Sequence, residues 1–374
     1  MFVKARRRIW LIVCAAFVSI SALETLEYAQ FELSTTASAQ SAAPSNPAAI
    51  ASVAAARIYD VTQTARLADI PKGAKKVKFW VCVPDDNPDQ RVLELVVRKA
   101  PDGWKMVTEP EYGNRFLYCE FDNPAAGSLE VVIDYAVQRA LHQTGVGANT
   151  SITDNHRRVF KSDLDPAVPL MSVTPEIKQI ADECCGAATG ATEQALKIAA
   201  YVADYADHYS KDATKPKCGR GAAEDCIVQK GGCCTDLHSL FIALARARGI
   251  PCRLQFGYRI QEKNDGKEVD PGYRCWIEYF APGSGWNALD VVVADSVSIE
   301  QRNEWFQRLD DRRVWCCAGR NYDLVPKQNG PKINTMIIGH AEIDGVIVPV
   351  LPTADGNPSP MTRVVKSTER RTAQ

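Results

Sequence analysis

The stretch from Gly231 to Pro251 allows few folds. Two glycines turn the chain into Cys234, after which Leu237, Phe241 and Leu244 recur at the spacing of one buried helical face, and Gly249 with Pro251 ends the helix. Cys252, Leu254, Phe256 and Tyr258 then alternate as a strand, and Tyr273 to Phe280 supply another in which Arg274, Trp276 and Glu278 share one face. A third strand leads through Trp286 to Asp290. A helix followed by consecutive antiparallel strands is an α+β arrangement. Cys234 starts that helix, where the partial positive charge of the terminus lowers a thiol pKa from its ordinary ~8.5. Its own backbone N–H can face a developing oxyanion, and Gly231 and Gly232 give the freedom to turn sharply. A buried or disulfide-bonded Cys234 fits the local sequence equally well, and the adjacent Cys233 leaves that choice open.

Upstream, short alternating runs such as Val77 to Val83, Phe116 to Phe121 and Leu129 to Ala136 are separated by Pro, Gly and Asp clusters, which predicts an all-β, sandwich-like module. After Pro166 the period changes. Thr174 and Pro175 supply a cap and first turn for a helix towards Cys184, and a second follows Thr192 with Ile198, Val202, Tyr205 and Tyr209 as its core stripe. Ile333 to Val350 reads as more strand. Lys4, Arg6, Arg7 and Arg8 lead an apolar run, Ile9 to Leu23, that reads as an export signal or, if uncut, a membrane anchor. The predicted organisation is a signal or anchor over 1–39, a flexible Ala/Ser/Pro linker over 40–56, the β module over 57–165, the helix-and-sheet domain with a C-terminal strand extension over 166–350, and a loose polar tail over 351–374.

Lys plus Arg number 44 against Asp plus Glu 45, and no basic run alternates with aromatics, so nucleic acid is excluded as an expected partner. Of 13 cysteines, 12 follow the signal, and in an exported chain most are expected in disulfides, with Cys218 and Cys226 a plausible local pair. The vicinal pairs at 184, 233 and 316 lack tetrahedral ligand spacing, so no metal site is expected, and no motif implies a cofactor.

Cys234-Thr235-Asp236-Leu237-His238-Ser239-Leu240-Phe241, Ala245-Arg246-Ala247-Arg248-Gly249-Ile250-Pro251, Tyr273-Arg274-Cys275-Trp276-Ile277-Glu278 and Gly285-Trp286 leading to Asp290 resemble the transglutaminase-like superfamily, a circle of papain-like folds. The likeness runs from about Val202 to Asp290. The segments 57–139 and 319–345 also resemble the β-rich module and strand extension of bacterial members. The resemblance implies a Cys that attacks an amide carbonyl, a His that takes and returns the proton, and an Asp that orients the His. Those positions are Cys234, Arg274 and Asp290 here. A guanidinium stays protonated and has no acceptor, so Arg274 cannot be the base. His238 is expected as a supporting residue or alternative base, with His340 a second alternative, Asp295 a weaker rival carboxylate, and His142, His156 and His208 surface or structural residues. Gly232, Tyr273 and Trp276 are expected to line the cleft, Trp286 to pack the sheet, and Arg246 and Arg248 to form a solvated helix face, with a structural ion pair implied for Arg246 by the resemblance. The expected function is an exported protein of the periplasm or cell envelope, catalytically impaired, that binds a peptide or protein chain. The alternative is an active thiol protease or amide acyl-transferase with a non-standard proton partner.

Overall fold

The chain opens with six strands: β1 (Arg57–Ile70), β2 (Lys76–Cys82), β3 (Gln90–Lys99), β4 (Lys105–Thr108), β5 (Arg115–Asp122) and β6 (Gly127–Arg139), with buried and less buried side chains alternating most clearly along β1. In β1 the inward set is Tyr59, Val61, Gln63, Ala65 and Leu67. The computed structural model describes residues 56–145, 150–217, 220–334, 336, 338–350 and 358–370. The expected signal or anchor, nearly all of the linker, and the Cys218–Cys226 pair through Cys218 lie outside the described residues. The described residues all fall within the unit Ala48–Gln374.

After the short β7 (His142–Gln143) come α1 (Asp154–Val159), α2 (Pro175–Cys185) and α3 (Ala191–Tyr205). The Thr174 hydroxyl accepts from Ile177 N at 3.2 Å, the cap that its position before Pro175 predicts. The chain continues through β8 (Asp207–His208), α4 (Ala223–Gln229), β9 (Gly231–Gly232) and α5 (Cys234–Ala247). Gly249 closes α5 at φ +71°, a left-handed conformation that side chains rarely adopt. Then follow β10 (Cys252–Arg259), β11 (Glu268–Val269), β12 (Arg274–Ala281), β13 (Gly285–Leu289), α6 (Val291–Asp295), α7 (Ile299–Trp305), β14 (Arg308–Leu309), β15 (Arg313–Ala318), β16 (Gly339–Ile343), β17 (Val346–Ile347) and β18 (Met361–Glu369).

Beneath α5 lies a four-stranded antiparallel sheet in the order β13-β12-β10-β15. Its register sets Cys275 opposite Phe256 and Ile277 opposite Leu289. This is the α+β core expected from the sequence, with Leu237, Leu240, Phe241 and Leu244 of α5 in the main core.

The β module departs from expectation in how it is completed. Its two five-stranded sheets run β11-β18-β1-β6-β3 and β17-β16-β2-β5-β4, so each takes strands from the chain's C-terminal third. Without them β1 and β2 would each present an unpaired edge. The tail is correspondingly not loose throughout: Met361–Glu369 pairs with β1 from Leu67↔Met361 to Tyr59↔Glu369. Its basic composition hides a period of two, with Met361, Arg363, Val365 and Ser367 inward and Thr362, Lys366 and Thr368 outward.

Removing residues 361–374 strips β1 of a neighbour and takes away the buried Met361 and Val365, whose burial is worth about 1.5–3 kcal/mol each. The truncated chain is expected to be less stable by about 3–6 kcal/mol in a urea titration; an unchanged midpoint would contradict this placement of the tail.

Candidate active site

Backbone geometry brings the chain into α5. Gly231 and Gly232 have φ of +155° and +150°, a region that side chains rarely adopt. A Cβ on Gly231 would lie 2.4 Å from Asp207 O, and one on Gly232 2.6 Å from Asp236 Oδ2. β9 pairs in parallel with β8, setting Gly232 beside His208. Cys233 is the N-cap, and the Asp236 carboxylate accepts from Cys233 N at 2.9 Å and from Ala222 N at 3.1 Å. Burial, with Cys233 beside it, raises the Asp236 carboxyl to about 7.

Cys234 therefore opens the helix as expected, but with 4 % exposure and with Cys233 and Cys275 as hydrogen-bonding neighbours. Those two contacts, and then burial, push its thiol well above the ordinary value. The surroundings that favour a thiolate lie instead at Cys275. The alternation of β12 puts Arg274 and Trp276 on one face and Cys275 on the other, towards α5. There the Cys275 Sγ meets His238 Nδ1 at 3.2 Å and Thr235 Oγ1 at 3.6 Å. Burial alone would raise the Cys275 thiol, yet contact with Cys234 and the charge of His238 bring it down to about 6. Burial likewise opposes a charged His238, but Cys275 and then Asp290 carry it up to about 9. Of the two thiols it is Cys275 that touches the imidazole, and that contact favours a negative charge on its sulfur.

Asp290 closes this chain of contacts. Its Oδ1 accepts from Val292 N at 3.1 Å and Val293 N at 3.3 Å, capping α6, and lies 3.4 Å from His238 Nε2. Arg313 Nη1 donates to Oδ2 at 3.3 Å, and Arg274 Nε stands 3.5 Å from the same oxygen. Burial opposes the carboxylate, but Arg274, His238 and Arg313 hold its pKa well below the usual range. Cys234, Arg274 and Asp290 are thus brought together, with the guanidinium in ion-pair contact where the sequence sets an imidazole's role. Tyr273 Oη lies 3.1 Å from Thr235 Oγ1 and 3.5 Å from Cys233 Sγ, at the rim of the thiols.

Other expected positions fall differently. Trp276 does not line a cleft: it is 1 % exposed, packed with Ala288, Leu309, Trp315 and Ala318, under the Arg313 guanidinium at 5.0 Å. His340 stands on β16 against Trp80 and Glu342, in a sheet other than the one carrying Arg274. Arg246 is buried rather than solvated, donating to the backbone carbonyls of Cys252 and Asp165 and not to a carboxylate, because α5 must tie down the strand that follows it. Asp295 is held by Lys211 at 2.8 Å and receives His208 N at 3.5 Å. His208 is not a surface residue: it is buried, its pKa lowered by burial and by the charge of Arg274. Its Nδ1 meets Ser210 Oγ at 2.7 Å and accepts from Ser210 N at 3.3 Å, which places the neutral ring's proton on Nε2. None of the described cysteines is joined in a disulfide, contrary to the expectation from their number. Among the described residues no group of three or more His, Cys, Asp or Glu is placed to hold a metal ion. Sequence reasoning passed over Cys275 as a reactive group. Strand alternation together with His238 four residues after Cys234 is the signal that points to it.

Comparison with known proteins bears on the fold that carries the site. Residues 178–291 match the family model described as the transglutaminase-like superfamily. A Haemophilus influenzae protein of uncharacterised function is 25% identical over 325 residues, spanning 78% of this chain and 87% of its own length. The crystal structure of a candidate cysteine protease from Cytophaga hutchinsonii superposes with a TM-score of 0.55 at 15% identity, covering 85% of this chain and 92% of that one. The periplasmic domain of TgpA from Pseudomonas aeruginosa matches with a TM-score of 0.33 and 15% identity, over 64% of this chain and 96% of that one.

Asp290→Asn removes the carboxylate that faces His238, Arg274 and Arg313, leaving Arg313 with Asp310 alone, and is expected to cost about 3–5 kcal/mol at neutral pH. A depressed carboxyl stabilises above its unfolded pKa of ~3.9, and that contribution is lost as pH falls towards the folded value. The gap between wild type and Asp290→Asn in urea titrations is therefore expected to narrow below about pH 4; a gap independent of pH would refute the ionised Asp290.

Proposed function

We propose, from the premise that residues 178–291 belong to the transglutaminase-like superfamily, that this exported chain has lost amide acyl transfer at Cys234 and uses the site to bind a peptide or protein chain. The carrying observation is Arg274, ion-paired to Asp290 where a general base would stand. Amide attack needs a thiolate, a group to accept its proton, and a donor to return that proton to the leaving amine. Arg274 supplies charge and no proton exchange. The Cys234 thiol is held protonated, and His238 is turned to Cys275 rather than to Cys234. Loss of a general acid–base costs about 10²–10⁴ in rate, and more where a triad acts as a unit.

Support for a bound chain comes from the fold and from the partly exposed Tyr273 and Arg274, a hydroxyl and a cation suited to main-chain carbonyls or a carboxylate. Export to the periplasm or envelope is supported by the basic and apolar N-terminal segment. Among the described residues no helix is long and apolar enough to cross a membrane. A second reading, an active thiol enzyme, is favoured by one observation: a cysteine–histidine–carboxylate line survives in Cys275, His238 and Asp290.

Hydrolysis and amine incorporation on unfolded protein substrates separate the two. Wild type is expected to match Cys234→Ala, with Arg274→His raising turnover by at least about ten-fold if it restores the acid–base. Wild-type turnover that disappears in Cys234→Ala would contradict the proposal.

A further inference from the structure

The acyl-transfer reading leaves Cys275 and His238 unexplained. Cys275 is fully buried at the interface of α5 and β12, and its sulfur has three polar neighbours: His238 Nδ1 at 3.2 Å, Thr235 Oγ1 at 3.6 Å and the Cys234 thiol. His238 Nδ1 faces the sulfur and Nε2 faces Asp290 Oδ1 at 3.4 Å, so the charged ring donates to Cys275 on one side and to Asp290 on the other. Arg320 adds a second cationic group. Its Nε and Nη1 are taken by Asn334 O, Gly221 O and Ser239 Oγ, while Nη2 is buried with no hydrogen-bond partner. Among the described residues no carboxylate lies within ion-pair distance of Arg320, and of the groups whose negative charge bears on it Cys275 is foremost, ahead of Asp236. A buried guanidinium without a carboxylate partner calls for another anion nearby.

We propose that Cys275 and Cys234 form a redox pair, in which a peroxide converts the two thiols to an intramolecular disulfide with Cys275 as the sulfur oxidised first. Near-complete burial of both sulfurs selects a small oxidant, and hydrogen peroxide is little larger than water. The Cys275 thiolate attacks one peroxide oxygen, forming an S–O bond as the O–O bond breaks. The departing hydroxide takes a proton from the His238 imidazolium and leaves as water. The Cys234 sulfur then attacks the sulfenic sulfur of Cys275; the S–S bond forms, the S–O bond breaks, and hydroxide leaves with the Cys234 proton as a second water. Two thiols are oxidised and one peroxide is reduced. The inference goes beyond the acyl-transfer reading and stands without it, because its readout is the state of two sulfurs and not turnover of an amide.

The test exposes the reduced full chain to hydrogen peroxide, quenches with acid, blocks remaining thiols with N-ethylmaleimide and maps peptides by mass spectrometry. A Cys233→Ser background keeps a competent N-cap and distinguishes the neighbouring cysteines. A peptide linking Cys234 to Cys275 is expected, and in Cys234→Ser a sulfenic acid on Cys275 that dimedone traps. In wild type the oxidation rate is expected to rise with an inflection at about 6. His238→Gln, by returning the thiol towards ~8.5, should slow the reaction about 30-fold at pH 7. Should that variant misfold, the wild-type pH profile decides. Oxidation that leaves Cys275 labelled by N-ethylmaleimide, a link from Cys234 to any other cysteine, or a rate that inflects near 8.5 would overturn the proposal.

Discussion

A buried carboxylate needs compensation, and how Asp290 obtains it organises the site. Its two oxygens serve the first turn of α6, His238, Arg313 and Arg274 together. Withdrawing such a group from water costs several kcal/mol unless cations and N–H donors replace the solvent. Arg274 contributes charge to this arrangement, and its guanidinium cannot exchange a proton.

The same frame decides which sulfur is nucleophilic. A helix N-terminus favours negative charge on Cys234, an effect worth about 0.3–1 kcal/mol. A buried imidazolium in contact with a sulfur outweighs it, and His238 projects from the α5 turn after Cys234 towards β12, where Cys275 is waiting. Asp290 steadies that imidazolium from its other side. Cys275 lies on the face of β12 opposite Arg274, buried against α5 rather than at the partly exposed rim.

Much of this was legible in the residues. The helix from Cys234, its stop at Gly249, the cap at Thr174 and the strands to Asp290 follow from periodicity and terminal residues, because these elements bury one continuous face against a single core. The tail was misread because Lys366, Arg363 and Arg370 dominate its composition, whereas its packing depends on alternate positions only. Trp276 and Arg246 were misread for the reason that pattern gives a face but not a neighbour: β15 and the Asp165 carbonyl, far away in sequence, decide what each meets. His208 reached the site through a two-residue parallel pairing with β9, too short to leave a periodic signal. Cys275 was hidden by a count of cysteines that favoured disulfides over chemistry.

The central claim is that the site's negative charge resides on Cys275 beside His238 and not on Cys234. Ultraviolet thiolate absorbance, followed against pH in the reduced wild type, Cys234→Ser and Cys275→Ser, tests it most directly. One thiolate titrating at about 6 in wild type, retained in Cys234→Ser and absent from Cys275→Ser, is the predicted result. A low titration that vanishes in Cys234→Ser and persists in Cys275→Ser would contradict the account.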